Sequence, residues 1–285
     1  MSQVLVEVHG GQLAAVIVGA GSPLLVLHGG PGLSDYTEPL ASELSEGHCV
    51  IRYQQRGLFP STTSGPFTIE RHVADALAVL DAAGAERALI VGHSWGGFLA
   101  MHLAASHQER LTGLVVIDSL GAIGDGGLAE FSACLVERCL PMYAARLAEL
   151  NAQQELSAAE MIEHLALIWS GYFGNPEAAP PMPVLRMSPE CSSGTWESIW
   201  EHFGRGTLEE SLPKVQVPTV FVLGSKSPMP IDRGSESAAL IPGARCIVEE
   251  GCGHFPWLER PGSIRRAIDS LVPTATQPGS VSPRH

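Results

Sequence analysis

Short, almost wholly apolar runs alternate with longer amphipathic segments along most of the chain. Unbroken apolar runs of strand length are typical of strands buried on both faces of a parallel sheet. The strand candidates are PLLVLHG, CVIRY, RALIVGHS, LTGLVVIDS, VPTVFVLG and ARCIVEE, and the helix candidates are DYTEPLASELSE, ERHVADALAVLDAAG, GGFLAMHLAASHQE, residues 233–241 and PGSIRRAIDSLV. Their order predicts an α/β fold, with a mostly parallel, twisted sheet and helices on both faces.

Two regions depart from this alternation. Near the N-terminus, VLVEV and LAAVIVG flank the turn HGG at residues 9–11, which predicts an antiparallel hairpin. Between Ser119 and Leu212 the strand pattern disappears, and helical patterns run through LAEFSACLVERCLPMYAARLAELN, SAAEMIEHLALIWSGYF and GTWESIWEHF. A helical insertion of this length inside an α/β core is typical of a lid over an active site.

These patterns predict the organisation of the chain. We expect an α/β core formed by residues 1–118 and 213–271, with a helical lid at residues 119–212 inserted after the strand that ends at Asp118. Residues 272–285 are rich in Pro, Ser and Thr, and we expect them to form a disordered tail.

Composition narrows the class of protein. Of 285 residues, 45% are hydrophobic, which is enough to bury a large core. The net charge is −13 and no Lys/Arg cluster is visible, which argues against a nucleic-acid partner. The sequence lacks the pattern of a signal peptide and the roughly 20 apolar residues that cross a bilayer, so we expect a cytoplasmic protein without a membrane partner. Its six cysteines show no CxxC spacing and are expected to be reduced.

The segment GHSWG at residues 92–96 matches the pattern G-x-S-x-G between a strand and a helix. A turn this sharp needs glycines on both sides, and it exposes the serine at the N-terminus of the helix, which stabilises negative charge. We therefore predict that Ser94 is a nucleophile rather than an incidental residue of a Gly-rich turn. The neighbouring His93 is expected to be structural, with its side chain pointing away from the nucleophile.

A second Gly-rich loop, HGGPG at residues 28–32, follows another apolar strand. Acyl transfer creates an oxyanion, which two converging backbone N–H groups can hold. We assign these donors to Gly30 and Trp95, the alternative being an ordinary tight turn. A late histidine, His254 in EGCGHFPWLERP, lies between a strand and the last helix, where it can return to Ser94 and act as the base.

These three segments, in this order, resemble the α/β-hydrolase superfamily, and HGGPG with GHSWGG resembles its proline iminopeptidase-like branch. The resemblance covers about residues 10–118 and 213–271. YQQRGLFPS is similar to the branch's Y-D-Q-R-G-x-G-x-S, with Gln54 in place of Asp and Phe59 in place of Gly. The resemblance implies that this segment packs below the oxyanion loop. The turn at residues 92–96, between the strand and the helix, is the nucleophile elbow of this superfamily. Its serine argues against the alkyl-enzyme chemistry of haloalkane dehalogenases and soluble epoxide hydrolases, which attack through an aspartate at this turn.

The acid that orients the histidine is not at the position that the resemblance implies. In the superfamily it usually follows the strand TVFVLG in G-x-x-D, where this chain has Ser227. Some members take the acid from the end of the strand that here ends at Asp118, which makes Asp118 the first candidate. Asp232 is the alternative, Asp125 is more remote and is expected to cap a turn, and a Ser–His dyad helped by water or by Ser227 is the remaining possibility. With Asp118 as the acid, Ser227 becomes a supporting hydroxyl near His254.

Candidate substrate contacts lie in the insertion. Its glutamates outnumber its arginines, so they either bind a substrate ammonium group, as lid glutamates do in proline iminopeptidases, or form solvated helix faces. TWESIWEHF places Trp196 and Trp200 at helical spacing with Glu201 beside them, and we predict a pocket formed by these three residues. Nearby methionines favour an apolar pocket.

Together these features predict a serine hydrolase without a cofactor or metal. Its small-molecule substrate is an ester, thioester or amide, cleaved through an acyl-enzyme on Ser94. Prolyl aminopeptidase activity, the cleavage of an N-terminal prolyl peptide bond, is the most specific form of this prediction. The missing aspartate also motivates a different class, a protein of the same fold that binds a ligand or performs a cyclase or lyase step in a biosynthetic pathway.

Overall fold

The apolar runs form one central sheet in the computed structural model, which describes residues 1–271; the predicted tail, 272–285, lies outside the described residues. Within that range the sheet has eight strands in the order β1-β2-β4-β3-β5-β6-β7-β8. The strands are β1 (Ser2–Val8), β2 (Gly11–Val18), β3 (Ser22–Leu27), β4 (His48–Tyr53), β5 (Ala88–His93), β6 (Leu111–Ile117), β7 (Thr219–Gly224) and β8 (Arg245–Glu249).

The sheet is mostly parallel, as predicted. β1 and β2 form the predicted antiparallel hairpin, in which Val8 pairs with Gly11, and β2 pairs antiparallel with β4. The pairs from β4 to β8 are parallel. Parallel strands need crossovers, which the amphipathic segments supply as helices. The helices are α1 (Glu38–Leu44), α2 (Ile69–Ala82), α3 (Trp95–His107), α4 (Leu128–Glu137), α5 (Ala144–Asn151), α6 (Ala158–Ile168), α7 (Pro189–Arg205), α8 (Thr207–Ser211), α9 (Ile231–Leu240), α10 (Pro256–Glu259) and α11 (Ser263–Asp269).

Successive residues of each inner strand serve two different cores. In β3, Leu25 and Leu27 pack with α2 and α3 on one face, whereas Leu24 and Val26 pack with α1 and α11 on the other. Because neighbouring side chains of a strand point to opposite faces, a sheet covered on both sides requires apolar residues at every position. This explains the unbroken apolar runs, and the predicted α/β fold is confirmed.

The segment between β6 and β7 is helical and contains α4 to α8. The pattern that suggested one helical stretch from residue 128 to 151 is interrupted: α4 ends at Glu137, and Pro141 begins a short 3-10 turn before α5. Proline lacks the N–H that continues a helix, so the chain changes direction there. Among residues 1–271, no helix has the length and apolar character needed to cross a membrane.

The carboxyl ends of the parallel strands lie at one edge of the sheet, where α/β proteins bind their ligands. The loop after β3 carries His28 to Gly32, Ser94 follows β5, Asp118 follows β6, Ser227 follows β7, and His254 follows β8. The topology therefore brings together residues from five separate parts of the sequence.

Candidate active site

Ser94 occupies a strained turn between β5 and α3. Its φ is 54° and its ψ is −125°, a conformation that costs a non-glycine residue about 1–3 kcal/mol. The turn depends on close backbone packing: a Cβ at Gly92 would lie 2.2 Å from the carbonyl oxygen of Gly96, and a Cβ at Gly96 would lie 2.1 Å from that of Leu27. The Ser94 N–H donates to the carbonyl of Ile117 at 2.9 Å, which fixes the turn to β6.

His254 and Asp118 form a buried pair beside this serine. The His254 Nδ1 lies 2.7 Å from Asp118 Oδ2, and the side chains are 2% and 1% exposed. A carboxylate can only accept, so Nδ1 donates; in a neutral ring held this way, the other nitrogen, Nε2, has a lone pair with which it can act as a base. Ser94 and His254 line the same cavity.

Asp118 is held by three donors. Besides His254, its Oδ1 accepts the Gly224 N–H at 3.2 Å and its Oδ2 accepts the hydroxyl of Ser227. The Ser227 oxygen in turn accepts the Met229 N–H at 2.9 Å. Ser227, at the position where the superfamily usually has its acid, thus contacts the carboxylate that reaches the histidine from the neighbouring strand.

The other candidate acids lie elsewhere. Asp232 is exposed in the first turn of α9. Asp125 accepts the N–H groups of Ala129 and Gly127, both at 3.0 Å, at the start of α4, and these hydrogen bonds lower the pKa of its carboxyl group. Asp125 therefore caps the turn, as the sequence suggested, and Asp118 is the carboxylate in contact with His254.

The two predicted oxyanion donors lie on loops that one side chain connects. Gln55 donates from its side-chain nitrogen to the carbonyl of His28 at 2.9 Å, and its side-chain oxygen accepts the indole N–H of Trp95 at 2.9 Å. In the described part of the chain, the backbone N–H groups of Gly30 and Trp95 donate to no other group. The sequence analysis did not single out Gln55, although it lies in the YQQRG segment expected to pack below this loop.

His93 contacts the loop that carries His254. Its ring centre lies 4.5 Å from that of His254, and its Nε2 lies 2.8 Å from the His254 carbonyl oxygen. The sequence analysis did not identify this contact, because the two residues are far apart in the chain. The only signal was the position of His93 beside the nucleophile.

Two cavities meet at the site. A cavity of about 120 Å³ is lined by Gly30, Leu33, Tyr36, Ser94, Phe131, Leu165, Trp169, Tyr172, Leu185, Met187, His254 and Phe255. A larger one, of about 590 Å³, is lined mainly by α4, α6 and α7, and it shares five residues with the first: Gly30, Phe131, Leu165, Tyr172 and Met187. None of the described residues that line either cavity is Asp, Glu, Lys or Arg.

The three predicted pocket residues separate in the structure. Trp196 lines the larger cavity. Trp200 is 49% exposed and packs on Phe203, and Glu201 is exposed and pairs with Arg205 at 3.5 Å, so these two predicted contacts lie outside the cavities. A helix turns about 100° and rises about 1.5 Å per residue, so Trp200 lies a turn beyond Trp196 and Glu201 faces about 140° away from it.

A metal centre is not indicated by the residues that are described. Among residues 1–271, no group of three His, Cys, Asp or Glu side chains is arranged to hold a metal ion.

Comparison with known proteins agrees with this fold. A family model described as "alpha/beta hydrolase fold" matches residues 22–261. The chain is 27% identical over 255 residues to the esterase YbfF of Escherichia coli, which covers 87% of this chain and 91% of that protein. It is 26% identical over 272 residues to a proline iminopeptidase of Saccharolobus solfataricus, covering 90% and 86%.

A solved structure with the same fold is the enol-lactonase from Burkholderia xenovorans LB400. The TM-score is 0.66 at 22% identity, and the superposition covers 94% of this chain and 99% of that one. The family match spans most of the chain, and the matched residues include strands β3 to β8 and the turn that carries Ser94. The protein therefore belongs to the α/β-hydrolase family and is a hydrolase of that fold.

Proposed function

We propose that the protein is a serine hydrolase that cleaves esters of small, uncharged, apolar acids through an acyl-enzyme on Ser94. The observation that carries this proposal is the buried His254–Asp118 pair, with Nε2 of His254 free, in a cavity shared with a serine at a strand-to-helix elbow. A buried carboxylate that fixes a histidine tautomer is the arrangement that makes a neighbouring serine nucleophilic.

The proposed reaction has two halves. His254 Nε2 takes the proton from the Ser94 hydroxyl, the oxygen attacks the acyl carbon, and the N–H groups of Gly30 and Trp95 hold the resulting oxyanion. Collapse breaks the ester bond, and His254 gives its proton to the leaving alcohol oxygen. Water then loses a proton to His254 and attacks the acyl-enzyme. The bond between the acyl carbon and the Ser94 oxygen breaks, His254 returns the proton to that oxygen, and the acid is released.

The cavity linings favour an ester over an N-terminal prolyl peptide. An aminopeptidase binds a positively charged substrate amine, and burying that charge without a carboxylate partner costs several kcal/mol. The described residues of both linings carry no carboxylate, and Glu201, the predicted acidic contact, pairs with Arg205 outside them. The similarity to a proline iminopeptidase therefore does not extend to a visible amine site.

The lining also suggests where the acyl chain binds. The larger cavity adjoins Gly30 and Pro31, where the acyl oxygen would be held, and its wall is mostly apolar side chains of α4, α6 and α7. An apolar acyl chain fits this surface. We accordingly propose that residues 119–212 act as a lid that forms the acyl pocket. Arg138, which follows α4, connects this segment to the loop after β7 by donating to the Lys226 carbonyl at 2.6 Å.

The non-hydrolytic alternative loses its motivation. It rested on a vacant acid position after β7, and the contact of Asp118 with His254 supports an acid from the neighbouring strand instead.

A fluorophosphonate probe tests the proposal, because it reacts covalently with activated serines. We expect rapid labelling of Ser94 in the wild type, none in Ser94→Ala and at least about 10³-fold slower labelling in His254→Ala. In parallel, p-nitrophenyl esters should be hydrolysed in preference to prolyl p-nitroanilide. A folded wild-type protein whose Ser94 does not react would overturn the proposal.

A further inference from the structure

His93 and Tyr36 form a hydrogen-bonded connection that the proposed reaction does not use. The His93 Nδ1 lies 2.6 Å from the Tyr36 hydroxyl oxygen, and the same oxygen accepts the Gly29 N–H at 2.9 Å. On the other side of the ring, Nε2 lies 2.8 Å from the carbonyl oxygen of His254. A continuous path thus joins the loop after β3 to the loop that carries His254.

The chemistry of the groups gives this path one direction. A carbonyl oxygen only accepts, so Nε2 of His93 carries a proton. Burial lowers the pKa of His93 well below its usual value, so the ring is neutral and Nδ1 is an acceptor. Tyr36 therefore donates to Nδ1, and burial raises the pKa of Tyr36, which keeps its proton in place. The order is Gly29 N–H to Tyr36 O–H to His93 N–H to His254 carbonyl.

Each end of this path adjoins a group of the proposed reaction. Gly29 shares a peptide bond with Gly30, and a Cβ at Gly29 would lie 3.0 Å from the Ser94 Cβ. At the other end, no other donor in the described part of the chain reaches the His254 carbonyl, while the His254 N–H donates to the Tyr172 carbonyl at 2.7 Å. His93 therefore holds the carbonyl of His254, and the insertion holds the N–H of the same residue.

We propose that His93 and Tyr36 are positioning residues that align the oxyanion loop with the catalytic histidine through this neutral hydrogen-bonded path. The inference rests on the proposed function, since it assigns a role relative to Ser94 and His254. A misplacement of about 1 Å between reacting groups can cost about 100-fold in rate. A hydrogen-bonded connection that fixes the loop after β3 relative to the loop that carries His254 should therefore affect turnover directly.

Two substitutions at residue 93 separate the halves of the path. The side-chain N–H of glutamine replaces Nε2, so His93→Gln keeps the donor to His254 and loses the acceptor for Tyr36. The side-chain oxygen of asparagine replaces Nδ1, so His93→Asn keeps the acceptor and loses the donor. Either loss breaks the path, so we expect kcat for a p-nitrophenyl ester to fall about tenfold or more in both variants, with KM within about twofold.

Buried residues outside the site provide matched controls. His102 is a buried histidine of α3, and burial lowers its pKa to about 3, so His102→Gln should leave kcat unchanged. Tyr36→Phe should lower kcat about tenfold, whereas Tyr53→Phe should not, because the buried Tyr53 hydroxyl has no partner in the described residues. Thermal unfolding establishes which variants fold, and the comparison of Tyr36→Phe with Tyr53→Phe decides the matter if the His93 variants do not fold.

The outcomes separate this inference from the proposed function. If wild-type Ser94 labels and turns over esters, but either folded His93 variant keeps the wild-type kcat, or Tyr36→Phe matches Tyr53→Phe, the positioning role is wrong and the serine hydrolase stands. If wild-type Ser94 neither labels nor turns over esters, the proposed function fails and the inference fails with it.

Discussion

The hydroxyl of Ser227 donates to Asp118 Oδ2, the same carboxylate oxygen that accepts the His254 Nδ1–H. A buried carboxylate oxygen with two donors is held in one place, and both donors stabilise its charge. Ser227 therefore supports a carboxylate that reaches His254 from the adjacent strand.

Removing this hydroxyl should slow the reaction without abolishing it. Because a hydrogen bond to a charged group contributes about 1.5–3 kcal/mol, we expect Ser227→Ala to lower kcat for a p-nitrophenyl ester about tenfold or more. Ser225→Ala is the control, since the Ser225 hydroxyl accepts the Gly251 N–H instead. Equal kcat values for the two variants would show that the contact is unimportant.

The acid should be transferable between the two strands. Asp118→Asn is expected to lower kcat about 10⁴-fold, because asparagine cannot stabilise the imidazolium. Since Ser227 already contacts the Asp118 carboxylate, adding Ser227→Asp to this variant should raise kcat at least about tenfold above that of Asp118→Asn alone. The matched double variant, Asp118→Asn with Ser225→Asp, should restore none. Equal rates for the two double variants would contradict the prediction.

Trp196 and Trp200 should differ in their effect on substrate choice. Trp196 lines the larger cavity, whereas Trp200 is half-exposed outside it. We expect Trp196→Ala to lower kcat/KM for p-nitrophenyl octanoate about tenfold relative to p-nitrophenyl acetate, because a long acyl chain loses apolar contact there. Trp200→Ala should leave this ratio within about twofold. If both variants shift the ratio equally, the acyl chain does not bind in this cavity.

Asp125 should make the stability of the fold depend on pH. Hydrogen bonds from Ala129 and Gly127 lower the pKa of its carboxyl group below the usual 3.8. A carboxyl group with a lowered pKa stabilises the folded state above its unfolded pKa, and this contribution disappears as pH falls through the folded value. We expect Asp125→Asn to lower Tm at neutral pH, and the difference from wild type to shrink below about pH 4. A difference in Tm that is independent of pH would contradict this reasoning.

The sequence predicted the features that depend on local chemistry. The strands were recognisable because both faces of the sheet are buried, and the elbow because its glycines allow backbone contacts that any side chain would prevent. Asp118 emerged because β6 and β7 are neighbours that end at the same edge of the sheet.

The features that depend on tertiary packing could not be predicted in this way. Which face of α7 lines the cavity is decided by its neighbours, so Trp200 and Glu201 were placed wrongly while Trp196 was not. The contact of His93 joins it to His254, 161 residues later in the chain, and no local pattern encodes that pairing.

The close approach of Gly96 to β3 has a consequence for the width of the anion site. A Cβ at Gly96 would collide with the carbonyl oxygen of Leu27, so the absence of a side chain sets how near the start of α3 comes to the end of β3. Trp95 immediately precedes Gly96, and Gly30 lies three residues beyond Leu27. The spacing between the two proposed oxyanion donors is therefore a property of backbone packing, and a methyl group at residue 96 would widen it without replacing any of the three proposed catalytic side chains.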